Sequence, residues 1–547
     1  MIPVPDLLSA DAVVRVDLAA LRQTLVFAFA AGGAMDAFDD TIARAALPPS
    51  SWNRATFARD VYLDELIERS LGIRIGGKAY RASGRYLARA IGEPPRDRRD
   101  FEVRRGVLAE LASSPSMRES LERVYLSIVQ LRALLSAARQ PAPRVRRVEI
   151  LRATRETFQL CAASFAGATS ALSRLRAFGE AVVATEAYRR LVELLDHDEH
   201  LSSLDLRVRI GADGEVRAME IVAVRENKDN LFYVSALRRL FVRFILLLRG
   251  YRTTGGEVAE RLLSEAFSGA EEPVALLFQL LGDIELYLAS LSFRDRALES
   301  GLAVSLPEVV DGGELRLEGL FNPLLLAAGV RPVTCDVHLP PGALAVVTGP
   351  NSGGKTRLIQ AIAIAQLFAE AGLFTPVREA RFPRASGLFA SLFEEARSDQ
   401  PEGHLGMELL RIRRLFEELE VGALVVIDEL CSGTNPSEGE EIAQLVLSLL
   451  PELGVQAFVT THLLQFAARL AAEHKIPALH FLQVELDAFE RPTYRFVPGV
   501  ARTSLAHRTA ARLGVTREEL LECIAAKRRK VAPAAPSAPV RKRGSGR

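Results

Sequence analysis

Eight consecutive residues carry the clearest chemistry in this 547-residue chain. Gly349-Pro350-Asn351-Ser352-Gly353-Gly354-Lys355-Thr356 fits the spacing GxxxxGK[ST]. Glycines let the backbone wrap so that N–H groups converge on phosphate oxygens, and a helix starting there adds the positive end of its dipole. Lys355 then reaches the outer phosphates of a nucleotide, and the Thr356 hydroxyl becomes a ligand for Mg²⁺. Of the 69 basic residues only seven are lysine. At this composition roughly 0.003 accidental matches are expected, which sets aside a chance glycine loop. Further along, Ala423-Leu424-Val425-Val426-Ile427 reads as a buried strand ending in Asp428 and Glu429. Asp428 would hold Mg²⁺, commonly through water, and Glu429 would orient or deprotonate an attacking water. A third apolar run, Phe458-Val459-Thr460-Thr461-His462, ends in an imidazole able to sense a γ-phosphate or hydrogen-bond its nucleophile.

These residues need a scaffold, and the grammar of the chain changes where they begin. Up to about residue 312 the pattern is helical, with apolar residues at threes and fours over 53–72, 117–137, 150–170, 175–196 and 230–250. One interruption alternates Leu204, Leu206, Val208 and Ile210 with polar residues before Gly211-Ala212-Asp213-Gly214, the pattern of a β-hairpin. From about 313 short β-branched runs alternate with helices: 343–348 then 358–369, 423–427 then 440–450, 456–460 then 463–472. That alternation implies parallel strands with both sheet faces covered. Two short helices, 504–513 and 516–526, follow, broken at Leu513-Gly514-Val515. The predicted organisation is a segment 1–50, a helical domain 51–312 with a hairpin insert at 204–224, an α/β domain 313–500, a helix-turn-helix 501–530 and a disordered basic tail 531–547.

Composition removes several alternatives. Cys161, Cys335, Cys431 and Cys523 show no metal or disulfide spacing, which points to a reducing compartment. The N-terminus lacks a basic signal region, and no apolar run comes near the roughly 18 residues of a spanning helix, so a cytoplasmic protein without a membrane partner is expected. The net charge of +1 hides a split. Lys527, Arg528, Arg529, Lys530, Arg541, Lys542, Arg543 and Arg547 supply +8 in a stretch without acids, leaving 1 − 8 = −7 for residues 1–526. Other basic clusters stand at Arg96-Asp97-Arg98-Arg99 and Arg144-Val145-Arg146-Arg147.

Taken in order, these segments resemble the MutS family of DNA-repair ATPases, in the ABC-like class of P-loop proteins. Thr348 to Thr356 is similar to that family's TGPNMGGKST, with Ser352 in place of Met and one hydroxyl residue after the lysine. Ile427-Asp428-Glu429-Leu430-Cys431-Ser432-Gly433-Thr434-Asn435 is similar to its DE-x-x-x-GT block, and Thr461-His462 to its TH switch. The closing helix pair is similar to its helix-turn-helix. More weakly, 56–135 resembles its helical core through Leu63-Asp64-Glu65-Leu66, Pro94-Pro95-Arg96-Asp97 and Leu131-Arg132-Ala133-Leu134-Leu135. The resemblance implies a helical core/lever domain followed by an α/β P-loop ATPase domain with a C-terminal helix-turn-helix. It also implies ATP and Mg²⁺ as cofactors, with Lys355, Glu429 and His462 in the catalytic roles. The implied partners are mismatched, branched or distorted DNA, a second copy of the chain as a homodimer, and further repair proteins.

The departures shape the expectation as much as the matches. There is no room before residue 50 for a mismatch-reading domain with a Phe-x-Glu wedge, and the tripeptides at Phe178, Phe393 and Phe416 lie in helical or ATPase contexts. Where the family has a Ser-Thr-Phe signature facing the partner subunit's nucleotide, this chain has Gly403-His404-Leu405-Gly406-Met407-Glu408. Gly403 cannot supply the hydroxyl, although Glu408 is retained. No Smr-type nuclease module is expected after the ATPase segment. The expectation is a DNA-linked ATPase without the mismatch wedge. The alternative is an ATP-driven switch for protein partners.

Overall fold

The computed structural model describes residues 2–137, 143–200, 203–210, 216–225, 263–392, 404–431, 435–503 and 515–531. The predicted helices at 230–250 and 504–513, the hairpin turn at 211–214, the wedge-like tripeptide at 393–395 and most of the basic tail lie outside them.

Helices dominate the first part: α1 (Leu18–Ala31), α2 (Met35–Arg44), α3 (Leu63–Ser70), α4 (Gly84–Gly92), α5 (Arg98–Ser113), α6 (Pro115–Ser136), α7 (Pro143–Ala163), α8 (Ser173–Val183) and α9 (Glu186–His200). Their starts are written locally. Asp17 caps α1 by accepting from the Ala20 amide at 3.0 Å, and Asp97 caps α5 through the Arg99 amide at 2.8 Å. Ser114 caps α6, whose first residue is Pro115. Leu121, Val124, Ile128, Leu131 and Leu135 of α6 are fully buried, as their spacing requires. The strands Ser203–Ile210 and Val216–Arg225 pair antiparallel in the alternating segment.

Helices α1, α2, α4, α5 and α6 pack against one that the periodicity does not announce. Helix α10 (Glu271–Glu299) is buried nearly throughout, including Asp283 and Glu285. It alone among the described residues is long and apolar enough to cross a membrane by length and composition, and its apolar stretch is wholly buried in the protein. This corrects the expectation that no apolar run approaches that length. The error arises because a helix apolar on every side has no amphipathic stripe to count. The N-terminal segment is tied to α10: Arg15 forms a buried ion pair with Asp283, and Tyr86 donates to the same carboxylate at 2.6 Å.

The second part is built on mixed sheets. In chain order the described strands are β1 (Ile73–Ile75), β2 (Lys78–Tyr80), β3 (Ser203–Ile210), β4 (Val216–Arg225), β5 (Glu308–Val310), β6 (Leu315–Leu320), β7 (Cys335–Leu339), β8 (Leu344–Thr348), β9 (Glu379–Pro383), β10 (Leu388–Ser391), β11 (Leu424–Ile427), β12 (Gln456–Thr460), β13 (Leu479–Leu486) and β14 (Pro492–Pro498), and a six-stranded sheet runs β10–β11–β12–β8–β13–β14. Every pairing is parallel except β13 with β14. Alternate residues face opposite cores: Ala345 and Val347 join the core shared with the helical part, while Leu344 and Val346 join a second one. On the first face lies α11 (Lys355–Glu370), and on the second lie α12 (His404–Glu418), α13 (Pro436–Leu449) and α14 (Leu464–Glu473). A further helix, α15 (Arg517–Val531), keeps Leu520, Leu521 and Ile524 exposed.

Four arginines of the two basic clusters have partners within the protein. Arg146 is buried and donates to the carbonyls of Ala28, Phe29 and Leu134, and Arg147 stacks over the Phe29 ring. Arg98 pairs with Asp311, and Arg99 with Asp97 and Asp11. Phe178 is fully buried against Phe158, while Glu180 is exposed and pairs with Arg176 on the same helix, so the tripeptide's aromatic ring is core.

Candidate nucleotide site

The strand order brings three strand ends together. β8 runs into the glycine loop, β12 lies beside it, and β11 lies beside β12. Parallel strands end on the same side, so the loop, Thr460 and Asp428 meet at the carboxyl edge of the sheet.

The loop is shaped by close approach. A Cβ on Gly349, which has φ +142°, would lie 2.5 Å from Val484 on β13. Gly354, at φ +90°, caps α11 in the left-handed region, which an L side chain rarely adopts. Lys355 is buried, and its Nζ donates to the carbonyls of Gly349 at 3.0 Å and Pro350 at 3.2 Å. Burial pulls the ammonium below its ordinary range, while Glu429 and Asp428 pull it back up. The Thr356 hydroxyl donates to Asp428 Oδ2 at 2.6 Å. Thr460 donates to the other oxygen, Oδ1, and its own hydroxyl accepts the Glu429 amide at 2.9 Å. One carboxylate is thus gripped by the helix after β8 and by the end of β12.

A cavity of about 700 Å³ opens from the loop. Asn351, Ser352, Gly353, Gly354, Lys355, Thr356 and Glu429 form its polar side, and Val330, Pro332, Val333, Tyr494 and Phe496 form an apolar one. This is the division a nucleotide needs, with phosphates at one end and a flat base at the other. Ser352 (φ +66°), Glu429 (φ +49°) and Tyr494 (φ +62°) all line it in left-handed conformations. Backbone strain of this kind concentrates at functional sites.

The donor set fits a phosphate-bound hard cation. Thr356 and Asp428 present two oxygens side by side, and a glycine cradle that a Cβ would fill leaves room for phosphate oxygens. The structure does not bring every predicted residue to the cavity wall. Asp428 reaches it through Thr356, and half-buried His462, two residues past β12, does not line it. Glu408 is buried on α12, while Gly403 and Ser432-Gly433-Thr434 lie outside the described residues. Sequence reasoning missed Thr460, whose hydroxyl at a strand end was the available signal. It also missed the apolar wall, which is assembled from segments more than a hundred residues apart.

The architecture is a helical part joined to a mixed α/β sheet with a glycine loop at its carboxyl edge, a candidate phosphate-binding site. Comparison gives part of the chain a family likeness: residues 345–528 match the family described as MutS domain V. The chain is 33% identical over 260 residues to the Endonuclease MutS2 of Thermus thermophilus, covering 48% of this chain and 33% of that protein. It is 30% identical over 267 residues to the Endonuclease MutS2 of Thermomicrobium roseum (47% and 33%) and 32% over 215 residues to that of Streptococcus thermophilus (38% and 26%). The match spans a third or less of the length of these curated relatives.

Proposed function

We propose that the chain binds and hydrolyses ATP with Mg²⁺ and uses the cycle to act on DNA in repair or recombination control, as a dimeric clamp on mismatched, branched or distorted duplexes. The observation that carries the reading is the Lys355–Thr356–Asp428–Thr460–Glu429 assembly at the mouth of one cavity. The glycine loop and Lys355 bind the phosphates. Thr356 and Asp428 hold Mg²⁺, which supplies charge neutralisation at the phosphates, and Glu429 orients or deprotonates the attacking water. His462 stands two residues past the strand that ends in Thr460 and is the γ-phosphate sensor of this reading. The relatives' MutS identity supports DNA as the partner. A cytoplasmic, nucleoid-associated location is part of the same reading.

The test is binding of the full chain to perfect duplex, mismatched duplex and four-way-junction DNA, each with ATP, with ADP and without nucleotide. Tighter, ATP-dependent binding to a distorted substrate is expected, with affinity falling steeply as salt rises. Binding to none of them under any nucleotide condition overturns the DNA reading and favours the ATP-driven switch for protein partners.

A further inference from the structure

Arg411 lies on α12, away from both sequence motifs. Its Nη2 donates to the backbone carbonyls of Ser391 at 2.6 Å and Asp428 at 3.1 Å, and its Nε donates to the Ser391 hydroxyl. Ser391 is the last residue of β10, and Asp428 follows the last residue of β11. The Asp428 amide donates to the same Ser391 carbonyl at 2.9 Å. A single planar fork therefore ties a helix and two adjacent strand ends together where the acidic pair leaves the sheet. Arginine suits this task because its donors are fixed in one plane, whereas an ammonium is a point charge on a flexible stem. The Glu408 carboxylate stands 3.7 Å from the remaining Nη1.

Packing alone does not require this residue. Helix α12 is seated on the second core by Leu415, with Ile412 and Phe416 beside it. The guanidinium is instead spent on backbone oxygens next to Asp428, whose carboxylate is aligned by Thr356 and Thr460.

We propose that Arg411 is a positioning residue for the Asp428–Glu429 pair, setting the rate of hydrolysis without contributing to nucleotide binding. Its helix begins at His404, so any displacement of the 404–408 segment is delivered through Arg411 to the acidic pair. The inference rests on the ATPase reading above and goes beyond it by making the altered signature segment a control on the chemical step. Misplacing a catalytic group by an ångström lowers a rate by about 10²-fold.

The experiment compares the full-length wild type with R411M, R411K, S391A and E429Q. It measures steady-state ATP hydrolysis, binding of a fluorescent ATP analogue without Mg²⁺, and hydrogen exchange of the amides at the ends of β10 and β11. R411M should lower kcat by about 10- to 100-fold while KM and metal-free nucleotide affinity stay within about twofold. The Asp428 amide should exchange faster, R411K should recover part of kcat, and S391A should lose about threefold or less. Wild-type kcat in R411M, or parallel changes in KM and thermal stability with no kcat-specific loss, overturns the assignment. Absence of hydrolysis in the wild type overturns the ATPase reading and this one with it. Hydrolysis that E429Q abolishes and R411M leaves untouched overturns the Arg411 role alone.

Discussion

Asp428 divides its two oxygens between two hydroxyls, Thr356 on one side and Thr460 on the other. Each bond uses one lone pair, which orients the carboxylate and leaves acceptor capacity for a hard cation. Glu429 follows in a left-handed conformation that places it on the cavity wall. Glu429→Gln keeps the shape and removes the base, so turnover should fall by about 10²- to 10⁴-fold with nucleotide affinity nearly unchanged. Lys355→Ala removes the phosphate partner, so affinity should weaken by tenfold or more. Phosphate release and fluorescent-nucleotide titration read the two effects separately, and undiminished turnover in both variants contradicts the site. The glycine loop and the acidic pair were legible because each is a contiguous run with its own chemistry. Thr460 and Arg411 were not: their partner Asp428 is 32 and 17 residues away, and only strand order reveals the contact.

At the scale of elements, α11 links the glycine loop to the helical part. It starts with Lys355 and ends with Glu370, whose buried carboxylate accepts the Ala385 amide at 2.8 Å and Gln366 Nε2 at 3.2 Å. Burial pushes this carboxyl up to about 7, against the pull of the Ala385 amide and Arg384. The folded protein therefore holds a proton that the unfolded chain releases near the ordinary value of 4.5. Its contribution favours folding at low pH, declines as pH rises from about 4.5 to about 7, and is constant above that. Glu370→Gln keeps an acceptor for Ala385 and removes the titration. Its stability relative to wild type should rise across that window by up to about 3 kcal/mol, read from denaturant unfolding between pH 5 and 8. A difference that does not vary with pH contradicts the shift. The helix itself was legible from its place after a strand and a glycine loop, although it is buried nearly all round; α10 is buried in the same way and had no such motif to announce it.

The whole molecule joins the two parts by side-chain-to-backbone contacts on and beside β10. Trp52 donates to the Ala385 carbonyl, Thr56 to that of Leu388, and Arg384 to those of Pro95 and Arg96, while Asp60 accepts the Leu392 amide at 2.6 Å. β10 is also the strand held by Arg411, so motion in the helical part and the state of the acidic pair share one element. Charge decides how such a body could hold DNA. Residues 1–526 sum to −7, and in the internal basic clusters Arg98 and Arg99 pair with acids while Arg146 and Arg147 engage carbonyls and a ring. The C-terminal stretch then becomes the main source of attraction for a polyanion. Arg541, Lys542, Arg543 and Arg547 fall within residues 532–547. Each phosphate contact contributes about −0.9 to the slope of log K against log salt on duplex DNA. Deleting 532–547 should therefore flatten the slope by about 3 to 4, measured by anisotropy between about 50 and 200 mM salt. ATP hydrolysis without DNA should be unchanged, because the catalytic assembly lies entirely between Gly349 and His462. Any preference for distorted over perfect duplex should survive the deletion, since a charged segment holds phosphates without reading shape. A slope that does not move would locate the grip in the folded body despite its negative sum, and would turn attention to the unpaired surface of the helical part.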